Sequence, residues 1–188
     1  EPRIARAQVG VRRPKYPVLG CDVSGEVYAV GAGVTDLRPG DEVFGSPFMR
    51  GFGAFAEYVR VPRDCLAAKP ANLSHEQAGA VPLAALTALQ GLRDHGHLTA
   101  GQRVLIIGAS DGVGTFAVQI ARSFGAEVTG VCSTRNVDLV RSMGADLLVV
   151  DAGLAGPLTG FRPVQQSRLA ELAAVAGVCL LKKQMGRW

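Results

Sequence analysis

The sequence is poor in aromatics, with one tryptophan, three tyrosines and seven phenylalanines among 188 residues. No apolar run approaches the roughly 20 residues that a bilayer-crossing helix needs, so none is expected. The opening Glu-Pro-Arg precedes no apolar segment, which argues against a secretory signal. There is no initiator methionine either, and we expect a piece of a longer protein. The four cysteines, Cys21, Cys65, Cys132 and Cys179, are far apart and form no C-x-x-C pair. That spacing excludes a small disulfide scaffold and fits reduced thiols in a cytoplasmic protein. Nor is there a dense basic stripe. The net charge of +4 comes in part from Arg3, Arg6, Arg12, Arg13 and Lys15 near one end, and Lys182, Lys183 and Arg187 near the other. Without a nucleic-acid motif these read as solvated surface, and neither nucleic acid nor membrane is expected as a partner.

What remains is a globular composition, 48% hydrophobic and 19% charged, enough for one domain of good size or two small ones. The first seventy or so residues read as strands and turns. Val23, Gly25, Val27 and Ala29 share one parity and Ser24, Glu26 and Tyr28 the other, a strand ended by the Gly31-Ala32-Gly33 turn. Pro39-Gly40-Asp41 is a second turn before Val43-Phe44. Phe55 to Val61 favours strand through its aromatic and β-branched residues. At Ser74 the character changes: Ser74 and Gln77 form the S-x-x-Q pattern that opens a helix, followed by an alanine- and leucine-rich stretch to about His95. Pro82 inside it predicts two helices or one sharply kinked helix.

From Arg103 strand and helix alternate. Val104 to Ile107 is wholly apolar, as a parallel strand covered on both faces would be. A glycine-rich turn leads to a helix over about Val113 to Phe124, with Phe116, Ala117, Ile120 and Ala121 along one side and Gly125 as its stop. Strands at Val128 to Val131 and Leu147 to Val150 flank a second helix, Val137 to Met143. This is the first half of a doubly wound Rossmann sheet. After Asp151 the alternation ceases, and Ser167 to Lys183 suggests a single helix. The chain thus divides into a β-rich part over 1–72, connecting helices with a half Rossmann unit over 73–151, and an atypical tail over 152–188.

The turn Gly108-Ala109-Ser110-Asp111-Gly112-Val113-Gly114 lies between strand and helix, where a helix N-terminus presents free N–H groups to a pyrophosphate. On the pattern G-x-G-x-x-G, with Gly114 last, Ala109 takes the first place and Asp111 the second. Asp111 puts a carboxylate where backbone normally approaches the phosphates. Pointing inward it weakens binding, and pointing to solvent it changes little. At the end of the next strand, Cys132-Ser133-Thr134-Arg135 carries no acid to bond a ribose 2′-hydroxyl. Hydroxyls and a guanidinium suit a 2′-phosphate, which predicts NADPH over NADH. The competing reading has Ser133 merely capping the following helix.

The segments Pro17 to Gly45, Gly53 to Pro62, Ala78 to Leu92, Val104 to Asn136 and the run RSMGAD at Arg141 to Asp146 together resemble the medium-chain dehydrogenase/reductase superfamily, in its quinone oxidoreductase branch. The resemblance implies an α/β protein: a partial GroES-like β domain, then the first half of a Rossmann doubly wound parallel sheet. Zinc-dependent members have G-H-E where this chain has Gly20-Cys21-Asp22, and a cysteine ligand where it has Leu83, four residues before Thr87. The resemblance therefore implies no metal, with Cys21 as a packing residue. It places Thr87 near the nicotinamide ribose and Ser110 and Arg135 near cofactor phosphates, with Cys132 at the position of the NAD-selective acid. Thr87 bonding back to its own helix is the alternative. The implied activity is NADPH-dependent hydride transfer to a quinone or an activated alkene or carbonyl, in a protein that forms homo-oligomers in some relatives. No proton donor stands out: His75, His95 and His97 read as exposed surface, and Tyr28 and Tyr58 as strand packing. A catalytically inactive piece that binds only nucleotide or a partner chain is the competing expectation.

Overall fold

The computed structural model describes residues 16–48, 50–150 and 178–183, with backbone only for 150 and 178–183. The chain divides into two compact units, one reaching Leu83 and taking in the strand at 178–183, the other beginning at Ala84.

The first unit is a five-stranded antiparallel sheet. Its strands are β1 (Val23–Val30), β2 (Glu42–Gly45), β3 (Tyr58–Pro62), β4 (Leu66–Ala68) and β8 (Val178–Lys183), in the order β3-β8-β1-β2-β4. The expected parity of β1 holds in part: Val23, Gly25 and Val27 are buried while Glu26 and Tyr28 face outward, but Ser24 is buried and Ala29 exposed. Val43, Val59, Val61 and Leu66 complete the same core. One expectation fails at β8. Val178–Lys183 is a strand, not the end of a helix, because the slot between β1 and β3 offers it backbone partners on both edges. Residues 167–177 of that expected helix lie outside the described residues. Above the sheet, helix α1 (His75–Gly79) starts with a full capping box between Ser74 and Gln77. Helix α2 (Pro82–Leu89) begins at the proline itself, where a missing N–H costs nothing, so Pro82 separates two helices.

In the second unit α2 runs on into a π-helical turn, Gln90–His95. Three parallel strands follow, β5 (Arg103–Ile107), β6 (Glu127–Cys132) and β7 (Leu147–Val150), in sequential order. Helices α3 (Gly112–Ser123) and α4 (Val137–Ser142) make the crossovers. On α3 the buried stripe is Gly114, Ala117, Val118 and Ala121, and Phe116 and Ile120 flank it, partly buried. These pack with Ile106, Val128, Cys132 and Val140. Buried residues of both helices join one core cluster, so both crossovers lie on one face of the sheet. Ile107 and Leu147, of opposite parity to that core, are therefore 67% and 57% exposed. The expectation that β5 is covered on both faces does not hold among the described residues. Asp146 locks the start of β7 to β6: its amide donates to Val128 O at 2.8 Å and its Oδ2 accepts from Val128 N at 2.7 Å.

Candidate functional site

In the second unit, β5 ends at Ile107 and the chain turns through Gly108, whose φ of +73° favours glycine. Ala109 is fully buried and its amide donates to Val131 O on β6 at 2.9 Å. Gly130 makes that seat available, because a Cβ there would stand 3.1 Å from Ala109 Cβ and 2.8 Å from Val140 Cγ1. The decisive glycine is Gly114. A Cβ on it would fall 1.9 Å from Gly108 O, so only glycine lets α3 pack this closely on the strand end. The first amide of α3 to find a backbone carbonyl is Thr115, which donates to Asp111 O at 2.9 Å. The amides of Gly112, Val113 and Gly114 precede it, in the turn that leaves donors for a ligand.

Asp111 is the N-cap residue of α3, yet its side chain makes no cap hydrogen bond. It is exposed and bends back over the turn, so that Oδ2 lies 2.8 Å from where a Cβ on Gly108 would be. The carboxylate thus makes no hydrogen bond to the first-turn amides, although its charge sits at the favourable N-terminal end of α3.

A second turn meets the first. After β6, Ser133 begins a short 3-10 turn, Thr134–Asn136, and makes no side-chain cap bond, leaving its hydroxyl uncommitted to capping. Ser133, Thr134 and Arg135 are all exposed. Asn136 Nδ2 donates to Ser110 Oγ at 3.0 Å, tying the turn after β6 to the glycine turn after β5. The expected cofactor residues 109–114 and 133–135 are thereby brought to one end of the sheet, the carboxyl ends of its strands, where open α/β sheets bind ligands. Thr87 belongs to the same unit but stands apart from both turns in sequence, half-buried on α2.

The first unit holds two polar groups that sequence reasoning missed. Asp22, just before β1, accepts the Leu83 amide on Oδ1 at 2.7 Å. Burial pushes its carboxyl above the ordinary range, although the Leu83 bond opposes the shift. Neighbouring Cys21 is half-buried, and burial followed by the charge of Asp22 pushes its thiol up, away from the reactive thiolate. Among the described residues no group of three His, Cys, Asp or Glu side chains could hold a metal ion.

The second group corrects an expectation. His95 and His97 are exposed, but the side chain of His75 is only 14% exposed and bridges two strands. Its Nδ1 is 2.9 Å from Ser24 Oγ, a buried hydroxyl that also reaches Val43 O at 3.3 Å. Its Nε2 is 3.0 Å from Glu42 Oε1, and the other Glu42 oxygen pairs with Lys69 Nζ at 3.3 Å. A carboxylate only accepts, which assigns a proton to Nε2, while the direction of the Nδ1–Ser24 bond follows the state of the ring, since the single Ser24 proton also reaches Val43 O. The Lys69 bond, with His75 beside it, holds the Glu42 carboxyl below its usual range. Nothing in the helical spacing marks His75, since its partners come from β1 and β2. Ser24 is too deeply buried to meet a substrate, so the network fastens α1 to the sheet.

Comparison with known proteins agrees with both units. The alcohol dehydrogenase GroES-like domain family matches residues 3–71. A mitochondrial NAD(P)H oxidoreductase of Homo sapiens is 42% identical over 73% of this chain and 36% of its own length. The chloroplastic NADPH-dependent alkenal/one oxidoreductase of Arabidopsis thaliana is 40% identical over 72% of this chain and 37% of its own. The quinone oxidoreductase structure from Coxiella burnetii superposes with a TM-score of 0.70 at 35% identity, covering 76% of this chain and 44% of that one. The chain spans between a third and a half of the length of these relatives. Over that span, a GroES-like β unit followed by a glycine-turn parallel sheet makes the chain a member of the medium-chain dehydrogenase/reductase superfamily, of the quinone-oxidoreductase-like kind.

Proposed function

We propose that the second unit binds NADPH and that the protein uses it to reduce a quinone or an activated alkene or carbonyl without zinc. The observation that carries this reading is the Ser110–Asn136 bond, which ties the glycine turn to the Ser133-Thr134-Arg135 turn. The fit is favourable at both ends. Gly114 keeps the space over the strand end free of a side chain, and the amides of Gly112, Val113 and Gly114 would receive the pyrophosphate, with Ala109 and Ser110 as the floor. Ser133, Thr134 and the Arg135 guanidinium would take the 2′-phosphate, Arg135 with two parallel charge-assisted bonds. Thr87 is assigned to the nicotinamide ribose. Bound NADPH supplies the hydride. The chain's residues orient the dinucleotide, and no protein nucleophile is required.

Cys132 supports NADPH over NADH, because the end of β6 offers no carboxylate to a 2′-hydroxyl. A thiol at position 21 and an isobutyl group at position 83 support the zinc-free reading, since a catalytic zinc needs three protein ligands. The name of the Arabidopsis relative, an NADPH-dependent alkenal/one oxidoreductase, agrees with the acceptor class. The separated cysteines favour a reducing compartment, which we take to be the cytoplasm.

Calorimetric titration with NADPH and NADH tests the proposal. Micromolar NADPH binding, weaker NADH binding, and loss of that difference in Arg135→Ala are expected. A folded chain that binds neither favours the second reading, an inactive piece of a longer reductase, which the partial span over its relatives makes worth testing.

A further inference from the structure

The first unit contains a recess that the nucleotide reading does not use. It lies beside β3 as a half-open recess of about 390 Å³. Val18, Phe52, Tyr58 and Val59, with the cationic residues Arg50 and Arg60, are among the residues that line it. Arg50 is largely buried and donates to Asp64 Oδ2 at 3.1 Å, so its charge is balanced and its position fixed. Arg60 projects from the exposed parity of β3, between buried Val59 and Val61, and joins no ion pair among the described residues. Two cations against one carboxylate leave the recess with an excess positive charge.

One wall is held in a conformation that side chains rarely adopt. Phe52 has φ +58°, between Gly51 at +140° and Gly53 at +109°. Its ring is pinned there by Tyr16, 5.0 Å away centroid to centroid, and by Phe48 at 5.7 Å. Backbone strain of this kind collects where a side chain must be presented to something. Opposite in character, Tyr58 is steadied edge-to-face by Tyr28 at 5.4 Å. Two aromatic side chains and a guanidinium that joins no ion pair among the described residues, all lining one recess, favour flatness and negative charge together.

We infer that this recess binds a planar aromatic carboxylate, its ring against Phe52 and Tyr58 and its carboxylate on Arg60. The site belongs wholly to the GroES-like unit and does not depend on the nicotinamide reading. Its test is run without cofactor.

The probes are 2-naphthoate and its neutral counterpart 2-naphthamide, titrated calorimetrically into the full chain. Amide chemical shifts at 50–60 report the location. Saturable one-to-one binding of naphthoate is expected, at least tenfold tighter than the amide, with shifts at Phe52, Tyr58 and Val59. Arg60→Gln should lose tenfold or more, Arg60→Lys should retain most of the binding, and Arg38→Gln, an exposed cation elsewhere on the unit, should change nothing. Equal binding of the two probes would overturn the inference, as would an Arg60→Gln chain that binds normally or a folded chain that binds neither probe.

Discussion

The two units handle their polar side chains in opposite ways. In the GroES-like unit Ser24, His75, Glu42 and Lys69 satisfy one another, and Asp22 is held by the Leu83 amide. Among the described residues of the protein no buried side-chain polar atom lacks a partner. In the parallel-sheet unit the hydroxyls of Ser133 and Thr134 and the guanidinium of Arg135 are exposed around a glycine turn, and Asp111 declines to cap its own helix. Closed networks hold a fold together, whereas donors gathered at a strand end without internal partners are available to a ligand. A Ser-His-Glu string would suggest catalysis by residue type alone. Its burial and completeness assign it to structure.

The largest expected break in this contrast is Gly114→Ala. The added methyl would meet Gly108 O, so α3 must move, destabilising the second unit by about 1–3 kcal/mol. NADPH binding should fail with it, read by thermal unfolding and calorimetry on the same sample. If Gly114→Ala binds NADPH normally, close helix–strand approach is not what builds the site.

Next in size is Ser24→Ala. It removes the partner of His75 Nδ1 inside the first unit and should cost about 1–3 kcal/mol by denaturant titration. Ser110→Ala, at the half-buried junction of the two turns, should cost less in stability yet weaken NADPH. Equal stability losses in the two serine variants would erase the distinction between the units.

Arg135→Ala sharpens the other side of the comparison. Its stability should change by less than about 0.5 kcal/mol, as for an exposed residue without a partner among the described residues. NADPH affinity should fall about tenfold or more, corresponding to roughly 1.4 kcal/mol, while NADH affinity is unchanged.

The smallest effect is on pH dependence. Because burial raises the folded-state pKa of Asp22, its contribution to stability is full below the unfolded-state pKa and declines as pH rises through the folded value. Asp22→Asn keeps an oxygen for the Leu83 amide and carries no charge to bury. It should raise the melting temperature slightly at pH 7, with the gain vanishing in acid. A loss at pH 7 would mean that the charged carboxylate is favoured where it stands.

Much of the second unit, and the start of α1 in the first, was legible because these elements obey simple local rules. The apolar run of β5, Gly125 as the stop of α3 and the Ser74–Gln77 capping box are local signals, and each has its local consequence in the structure. The turn residues 109–114 and 133–135 could likewise be named in advance, since strand–turn–helix order decides where they lie. What was not legible depends on partners distant in sequence. β4 is three residues, Leu66–Ala68, defined only by pairing with β2. β8 takes its conformation from β1 and β3. His75 reads as surface until Ser24 and Glu42 are placed beside it, and the exposure of Ile107 follows from both crossovers lying on one face.

The most direct test of the account is to follow the backbone amides of the isotopically labelled chain while NADPH is added. Shifts should concentrate at 108–115 and 133–136, with a smaller change at Thr87, while Ser24, Glu42 and His75 stay fixed. Shifts centred on the Ser24–His75 network, or an unperturbed glycine turn at saturating NADPH, would contradict the assignment of function to the open turns and structure to the closed network.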